Sequence, residues 1–238
     1  MRFACITIMA LAGFLSTSCT SIGNNPVLLR QMSTEGQFGP PVTIRLCALL
    51  DEGVSEEKAR LLLKEAWDDA EESALFGIHF TLASVTRWKR TSFTYTAIVR
   101  DMQHEHLLRP GCDRVFAFVG RNFGDVVWGL LLLPEVYGAA NFVHGYVVAN
   151  TGSIQHIFFD TVDTLKHELL HMAGCAHADG EECYRRIRRL KEEYVHNKDS
   201  TDFFPAFVLL TEGDDPPLVR TREEANEILT RWNEYKSK

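Results

Sequence analysis

Basic residues are fewer than acidic ones in this sequence. Its 238 residues include 25 Lys and Arg against 32 Asp and Glu, a formal net charge of −7. Because proteins that bind nucleic acids need a basic surface against the phosphates, this balance argues against a nucleic-acid partner. The sequence also has no internal repeat and no low-complexity tract, which argues against a solenoid or a disordered chain. Its 45% hydrophobic and 24% charged residues are typical of one globular domain of good size.

Charge is absent from residues 3–15, which form an apolar run after Arg2. A positive start, an apolar run and small residues are the parts of an export signal, and this run is too short to span a bilayer as a permanent helix. The small residues Ser16-Thr17-Ser18 lead directly into Cys19. This arrangement resembles a bacterial lipoprotein signal, which implies a lipid on Cys19. The alternative is a soluble protein cut near Ser18.

The N-terminal pattern therefore predicts a signal peptide over residues 1–18 and a lipid-anchored or flexible tether over residues 19–41. Thr20 follows Cys19, where an aspartate would indicate retention at an inner membrane. We therefore expect an outer-membrane lipoprotein that faces the periplasm or the cell surface. Otherwise the protein is secreted or periplasmic.

Six cysteines are present, of which four lie beyond the signal and Cys19. Cys175 and Cys183 are close in sequence, which favours a disulfide between them, and Cys47 with Cys112 then remains by elimination. Four buried free thiols are the alternative, because sequence alone cannot choose among pairings.

The periodic segments predict an α+β fold, in which helices cover a mixed, twisted β-sheet. The strand candidates are residues 42–50, 78–85, 114–119, 126–133 and 143–150, and the helix candidates are residues 55–75, 95–108, 160–173, 183–196 and 221–235. We expect one domain over residues 42–238, with a sheet-containing part up to residue 177 and a mostly helical and irregular part from residue 178. The apolar residues 203–207 are interpreted as ordinary core, with a specificity pocket as the alternative.

Residues 167–177, HELLHMAGCAH, have the spacing of a catalytic zinc site. His167 and His171 project from one face of a helix, so both imidazoles can reach one ion. Glu168 is turned away by about 100° and can approach a water without binding the metal. Gly174 permits a positive φ that ends the helix and returns His177 to the same ion. Three imidazoles leave the fourth position of tetrahedral zinc open for water, as catalytic sites require.

This motif matches HExxHxxGxxH, the signature of the metzincin metallopeptidases, which the sequence resembles. The layout is also similar, with a strand–helix–strand start and later strands that lead into the motif helix. The resemblance implies a zinc peptidase domain with one catalytic zinc ion. It implies the metal ligands His167, His171 and His177, the general base Glu168 and the turn glycine Gly174. It further implies that residues 127–131 form the edge strand that binds substrate, with residues 143–150 as the next strand inward.

The sequence departs from this family in one respect. Metzincins place a methionine beneath the zinc, downstream of the third histidine, whereas no methionine follows Met172 here. Cys183 and Tyr184 are the candidates for that floor position. The remaining histidines are interpreted as structural or surface residues: His79, His104, His106, His144, His156 and His196.

The expected function is that of an exported zinc endopeptidase, which uses a zinc-activated water and acts on a protein or peptide. One alternative is a surface or periplasmic lipoprotein that keeps the fold and binds a partner. Another is a zinc hydrolase of a non-peptide amide. The oligomeric state is not determined by the sequence.

The lipid anchor has a direct test. If Cys19 is lipidated, the mature protein should partition into detergent, and Cys19→Ala should release or mislocalise it, because stable anchoring depends on acyl chains. Detergent phase separation and mass spectrometry of the mature N-terminus provide the measurement. An unmodified, soluble N-terminus in the wild type would refute the lipoprotein interpretation.

Overall fold

The computed structural model describes residues 39–92, 95–120, 138–141, 146–150, 161–175, 181–199, 201–208 and 217–236. The elements are β1 (Val42–Leu50), α1 (Glu56–Leu63), a π-helical segment (Lys64–Asp68), α2 (Glu71–Phe76), β2 (Ile78–Arg87), α3 (Tyr95–Glu105), β3 (Arg114–Val119), β4 (Gly138–Asn141), β5 (Tyr146–Asn150), α4 (Thr161–Met172), α5 (Glu181–Asn197), β6 (Ala206–Phe207), β7 (Leu218–Val219) and α6 (Arg222–Lys236). None of the helices within these ranges is long and apolar enough to cross a membrane.

Five strands form one sheet in the order β2-β1-β3-β5-β4. β2, β1, β3 and β5 are mutually parallel, and β4 pairs with β5 in the antiparallel sense. Parallel neighbours need crossover connections, and α1 and α2 lie in the connection between β1 and β2. The expectation of a mixed β-sheet combined with helices is confirmed. The predicted strand at residues 126–133 lies outside the described residues.

Apolar side chains cover both faces of the sheet, as β3 shows. Phe116 and Phe118 belong to a core shared with α1, α4 and α5, while Val115, Ala117 and Val119 belong to a second core shared with α3 and α6. Successive side chains of a strand point to opposite faces, so a strand buried on both faces has a continuous apolar sequence. This arrangement explains why the apolar residues of β3 follow one another without a break and do not alternate with polar residues.

The predicted helix over residues 55–75 is divided into separate pieces. Ser55 caps α1 by accepting a hydrogen bond from the backbone N–H of Lys58, as expected. The chain then enters a π-helical segment and becomes extended at Ala70, with φ −87° and ψ 147°. The Trp67 indole N–H donates to the Ile78 carbonyl at 2.8 Å, in a position without solvent exposure. This contact with β2 favours the break, because a buried indole N–H needs an acceptor.

Both favoured disulfide pairings are present. Cys47 is bonded to Cys112 with the Cα atoms 5.6 Å apart, and Cys175 is bonded to Cys183 with the Cα atoms 4.5 Å apart. The first bond joins β1 to the residues that precede β3. The second joins the residues after α4 to the first turn of α5.

A buried cation holds the segment between α5 and β7 against the sheet. The Arg114 guanidinium donates to the carbonyls of Asp113, Phe204 and Pro205 at 2.7, 2.8 and 2.9 Å. It also lies over the Phe203 and Phe204 rings, at 5.0 and 5.7 Å from their centroids. Burial lowers the pKa of Arg114 to about 10, which leaves the side chain charged at neutral pH.

Asp113 also binds this segment, and we call the pair of residues Arg114 and Asp113 the clamp. Its Oδ1 accepts the Phe204 backbone N–H at 3.1 Å, and the carboxylate forms an ion pair with Arg45 at 2.8 Å. Residues 203–207 are therefore core, as the sequence analysis expected, with Phe203, Phe204, Ala206 and Phe207 all buried. Two adjacent charged residues at the start of β3 position a segment about ninety residues further along the chain.

Removal of this cation should destabilise the fold strongly. Arg114→Met leaves three buried carbonyls without their donor, so we expect the free energy of unfolding to fall by about 3 kcal/mol or more. Chemical denaturation monitored by circular dichroism measures the change. Arg60→Met is the matched control, since Arg60 is exposed and pairs with Glu56 one helical turn away. Equal effects at the two positions would contradict the clamp.

Candidate metal centre

The motif residues lie on α4, which packs between the sheet and the π-helical segment. Leu165, Leu169 and Leu170 form its buried apolar side. Lys166 also pairs with the buried carboxylate of Glu72 on α2 at 2.6 Å. Burial along one side and an ion pair beside the motif together determine how α4 is rotated about its axis.

His167 and His171 face each other from successive turns of α4. Their Nε2 atoms are 3.0 Å apart, and the rings meet edge to face at 85°. Two imidazole nitrogens that share a tetrahedral zinc at 2.0–2.1 Å stand roughly 3.3 Å apart, so the observed separation fits joint ligation with little adjustment. The expectation that four-residue spacing brings both rings together is confirmed.

The tautomer of His171 is determined by its other ring nitrogen. Nδ1 lies 2.6 Å from the carbonyl oxygen of Cys175. A carbonyl can only accept, so Nδ1 carries the proton and Nε2 presents a lone pair toward His167. A backbone acceptor that orients a histidine in this way is a recurring feature of metal sites.

Gly174 ends the helix in the manner that the motif predicts. Its φ is +112°, and a Cβ placed on it would lie 2.6 Å from Cδ1 of Leu190. The N–H of Gly174 donates to His171 O and that of Cys175 to Leu170 O, both at 3.0 Å, which is the Schellman pattern of hydrogen bonds. Glycine is required here both by the positive φ and by the close packing of α5.

Glu168 is adjacent to the first histidine and is 4% exposed. Its Oε2 has no hydrogen-bond partner among the residues that the structure describes. Burial raises the pKa of Glu168 to about 8. A buried carboxyl group with an unused oxygen beside two converging imidazoles is suited to proton transfer at a metal site.

A small cavity of about 10 Å³, close to the size of one water, lies beside His171. Its lining includes Arg114, Leu190, Ala206 and Phe207. The clamped segment of residues 203–207 thus forms part of the floor near His171. Of the two floor candidates from the sequence, Tyr184 packs its ring on Phe76, and Cys183 is bonded to Cys175.

The structure brings two of the three predicted ligands together. His177 and the predicted edge strand at residues 127–131 lie outside the described residues. Within those residues, no group of three His, Cys, Asp or Glu side chains is close enough to hold a metal. Of the other histidines, His79, His104 and His196 are exposed, as expected for surface residues.

The sequence analysis missed two contributors to this region. The Cys175 carbonyl orients His171, and Arg114 with Asp113 positions the floor segment. The sequence signal for Arg114 and Asp113 is that these two charged residues directly precede the apolar residues 115–119. His167 and His171 fit two ligand positions of a zinc ion, because their Nε2 atoms converge and the tautomer of His171 leaves its Nε2 unprotonated.

Comparison with known proteins assigns no family. No protein-family model matches the chain, and no curated protein sequence matches it either. The motif and the geometry of α4 are therefore the observations that bear on function.

Burial of Glu168 predicts a pH-dependent stability in the metal-free protein. The folded pKa of about 8 exceeds the ordinary value of 4.5, so the folded chain binds more protons between these values and loses stability as pH rises. Glu168→Gln removes this contribution. Relative to wild type, the variant should gain about 3–5 kcal/mol in free energy of unfolding between pH 5 and pH 8.

Denaturation at a series of pH values, in the presence of a chelator, measures this difference. Glu192→Gln, at an exposed position on α5, is the matched control. Parallel pH dependences for wild type and Glu168→Gln would show that the carboxyl group is not desolvated in the folded protein.

Proposed function

We propose that this protein is an exported zinc-dependent endopeptidase in which Glu168 is the general base. The observation that carries the proposal is the pair of Nε2 atoms, 3.0 Å apart on one face of α4, with a buried carboxyl group on the adjacent residue. A purely structural zinc site has no need of that carboxyl group. The proposed ligands are His167, His171 and His177, of which the last rests on the sequence motif.

Each residue of the proposed site has a separate task. Bound zinc supplies Lewis acidity toward a carbonyl oxygen, lowers the pKa of water, and favours the ionised form of Glu168 by its positive charge. Glu168 then takes a proton from the attacking water and delivers it to the leaving amine. His171 is held in the ligating tautomer by the Cys175 carbonyl. Leu165, Leu169 and Leu170 keep α4 packed against the core while these steps occur.

The substrate is proposed to bind as an added strand at the edge of the sheet. β4 is the outermost described strand on this side, and α4 packs against both β4 and β5. An extended peptide at such an edge gains main-chain hydrogen bonds, and side-chain pockets then determine preference. Residues 127–131 remain the sequence-based candidate for the binding edge.

The order of elements supports a metzincin-like assignment. A strand, helices and a second strand open the described domain, and later strands lead into α4, in the layout on which the resemblance was based. The two disulfides favour an oxidising compartment. We include anchoring through Cys19 at the outer membrane in this proposal.

The decisive experiment combines metal analysis with peptide-library cleavage by the mature protein. Wild type should hold about one zinc per chain. Glu168→Gln should retain the zinc but cleave at least about a hundredfold more slowly, because a positioned acid–base group contributes roughly 10² to 10⁴ in rate. His167→Ala, His171→Ala and His177→Ala should each lose zinc.

His196→Ala is the matched control, because His196 is exposed at the end of α5. It should change neither zinc content nor cleavage. Wild-type protein without zinc after metal dialysis would refute the metal site, and a fully active, zinc-loaded Glu168→Gln would refute the base. Bound zinc without cleavage of any peptide would favour a partner-binding protein or a hydrolase of a non-peptide amide.

A further inference from the structure

The disulfide between Cys175 and Cys183 begins at the residue that orients His171. Cys175 lies just beyond α4, and its carbonyl accepts the Nδ1–H of His171 at 2.6 Å. Both cysteines are buried, at 0% and 5% exposure, in the core shared with α4 and α5. The covalent bond therefore connects the backbone that determines the His171 tautomer to a second, packed helix.

The helix itself holds Cys175 only weakly. Gly174 has already left the helical conformation, and beyond it the backbone of Cys175 contacts α4 through its N–H, which donates to Leu170 O, and through the carbonyl that accepts from His171. Residues after a helix end fray readily unless tertiary contacts hold them. The disulfide is the covalent contact that fixes Cys175 relative to Leu190 and the rest of α5.

The same bond closes the sequence segment that carries the third predicted ligand. Residues 176–182 lie between the two cysteines and include His177. Among the residues that the structure describes, the bond acts on one predicted ligand, His171, through the backbone carbonyl that accepts its Nδ1–H.

We propose that the Cys175–Cys183 disulfide is a positioning element of the metal site, so that the chain holds zinc tightly only when this bond is formed. This inference rests on the proposed function. Formation of the bond removes two electrons and two protons from the two thiols and transfers them to a disulfide oxidant, which becomes a dithiol. Reduction by a dithiol reverses the exchange and releases the end of α4 from α5.

The consequence is a coupling between compartment and metal loading. In a reducing compartment, where thiols persist, the end of α4 is not tied to α5 and zinc affinity is low. After export to an oxidising compartment, the bond forms and the site becomes competent. A peptidase with this property is kept inactive until it has left the compartment of its synthesis.

Zinc affinity of disulfide-free variants tests the inference without the complication of new thiolate ligands. Cys175→Ala/Cys183→Val keeps apolar volume in the core and removes the bond. Its zinc affinity, measured by competition with a chromophoric chelator, should fall about 10- to 100-fold, the typical cost of removing an outer-shell partner of a ligand. Cys47→Ala/Cys112→Val is the matched control, because that bond joins β1 to the residues that precede β3 and includes no residue of α4 or α5.

The control should lower stability while leaving zinc affinity within about twofold. Equal zinc affinity in wild type and in Cys175→Ala/Cys183→Val would overturn the inference while leaving the proposed function intact. Equal losses in both variants would also overturn it, since the effect would then be general destabilisation. A wild type that binds no zinc would defeat the proposed function itself.

The tautomer of His171 provides a readout that requires neither zinc nor a substitution. Nitrogen NMR of the metal-free, oxidised wild type should show the proton on Nδ1, and reduction with a phosphine should shift the population toward Nε2–H. An unchanged tautomer after complete reduction would overturn the positioning role. This measurement decides the matter even where the protein binds no zinc.

Discussion

The positive φ at Gly174 is the constraint on which the candidate site depends. A helix that continued past Met172 would carry Cys175 away from the His171 ring, and the Cys175 carbonyl could not accept the His171 Nδ1–H. The turn is also a packing requirement, because Leu190 occupies the space where a Cβ would lie, 2.6 Å away. One residue, Gly174, therefore affects the backbone conformation, the His171 tautomer and the packing of α5. It links the local motif to the C-terminal part of the chain.

That C-terminal part contributes more than cover for the sheet. α5 supplies Leu190 against the turn and Cys183 for the disulfide, and the segment after it supplies Ala206 and Phe207 to the cavity beside His171. Arg114 and Asp113 hold this segment by hydrogen bonds at the start of β3. A buried cation costs solvation free energy, which its three carbonyl acceptors and two aromatic rings offset here. The part of the cavity lining that comes from residues 203–207 is thus attached to the start of β3.

Two buried ionisable groups, Arg114 and Glu168, differ in their hydrogen bonding. Arg114 has its hydrogen bonds satisfied and remains charged, so its effect is structural. Glu168 has an unused oxygen among the described residues and a pKa raised by burial, so its ionisation responds to any positive charge placed beside it. This difference in hydrogen bonding is the physical basis for assigning structure to one group and proton transfer to the other.

The sequence by itself determined the features that depend on local spacing. The bounds of β1 and β3, the helical motif with its terminal glycine, and the convergence of His167 and His171 all follow from periodicity and backbone preference within a few residues. The favoured cysteine pairs were also found. Tertiary structure alone decided the break after α1, the clamp on residues 203–207, the floor beside His171 and the role of the Cys175 carbonyl. Each of these features depends either on contacts between residues far apart in sequence or on a single backbone atom. Neither kind of interaction produces a periodic pattern of apolar residues in the sequence.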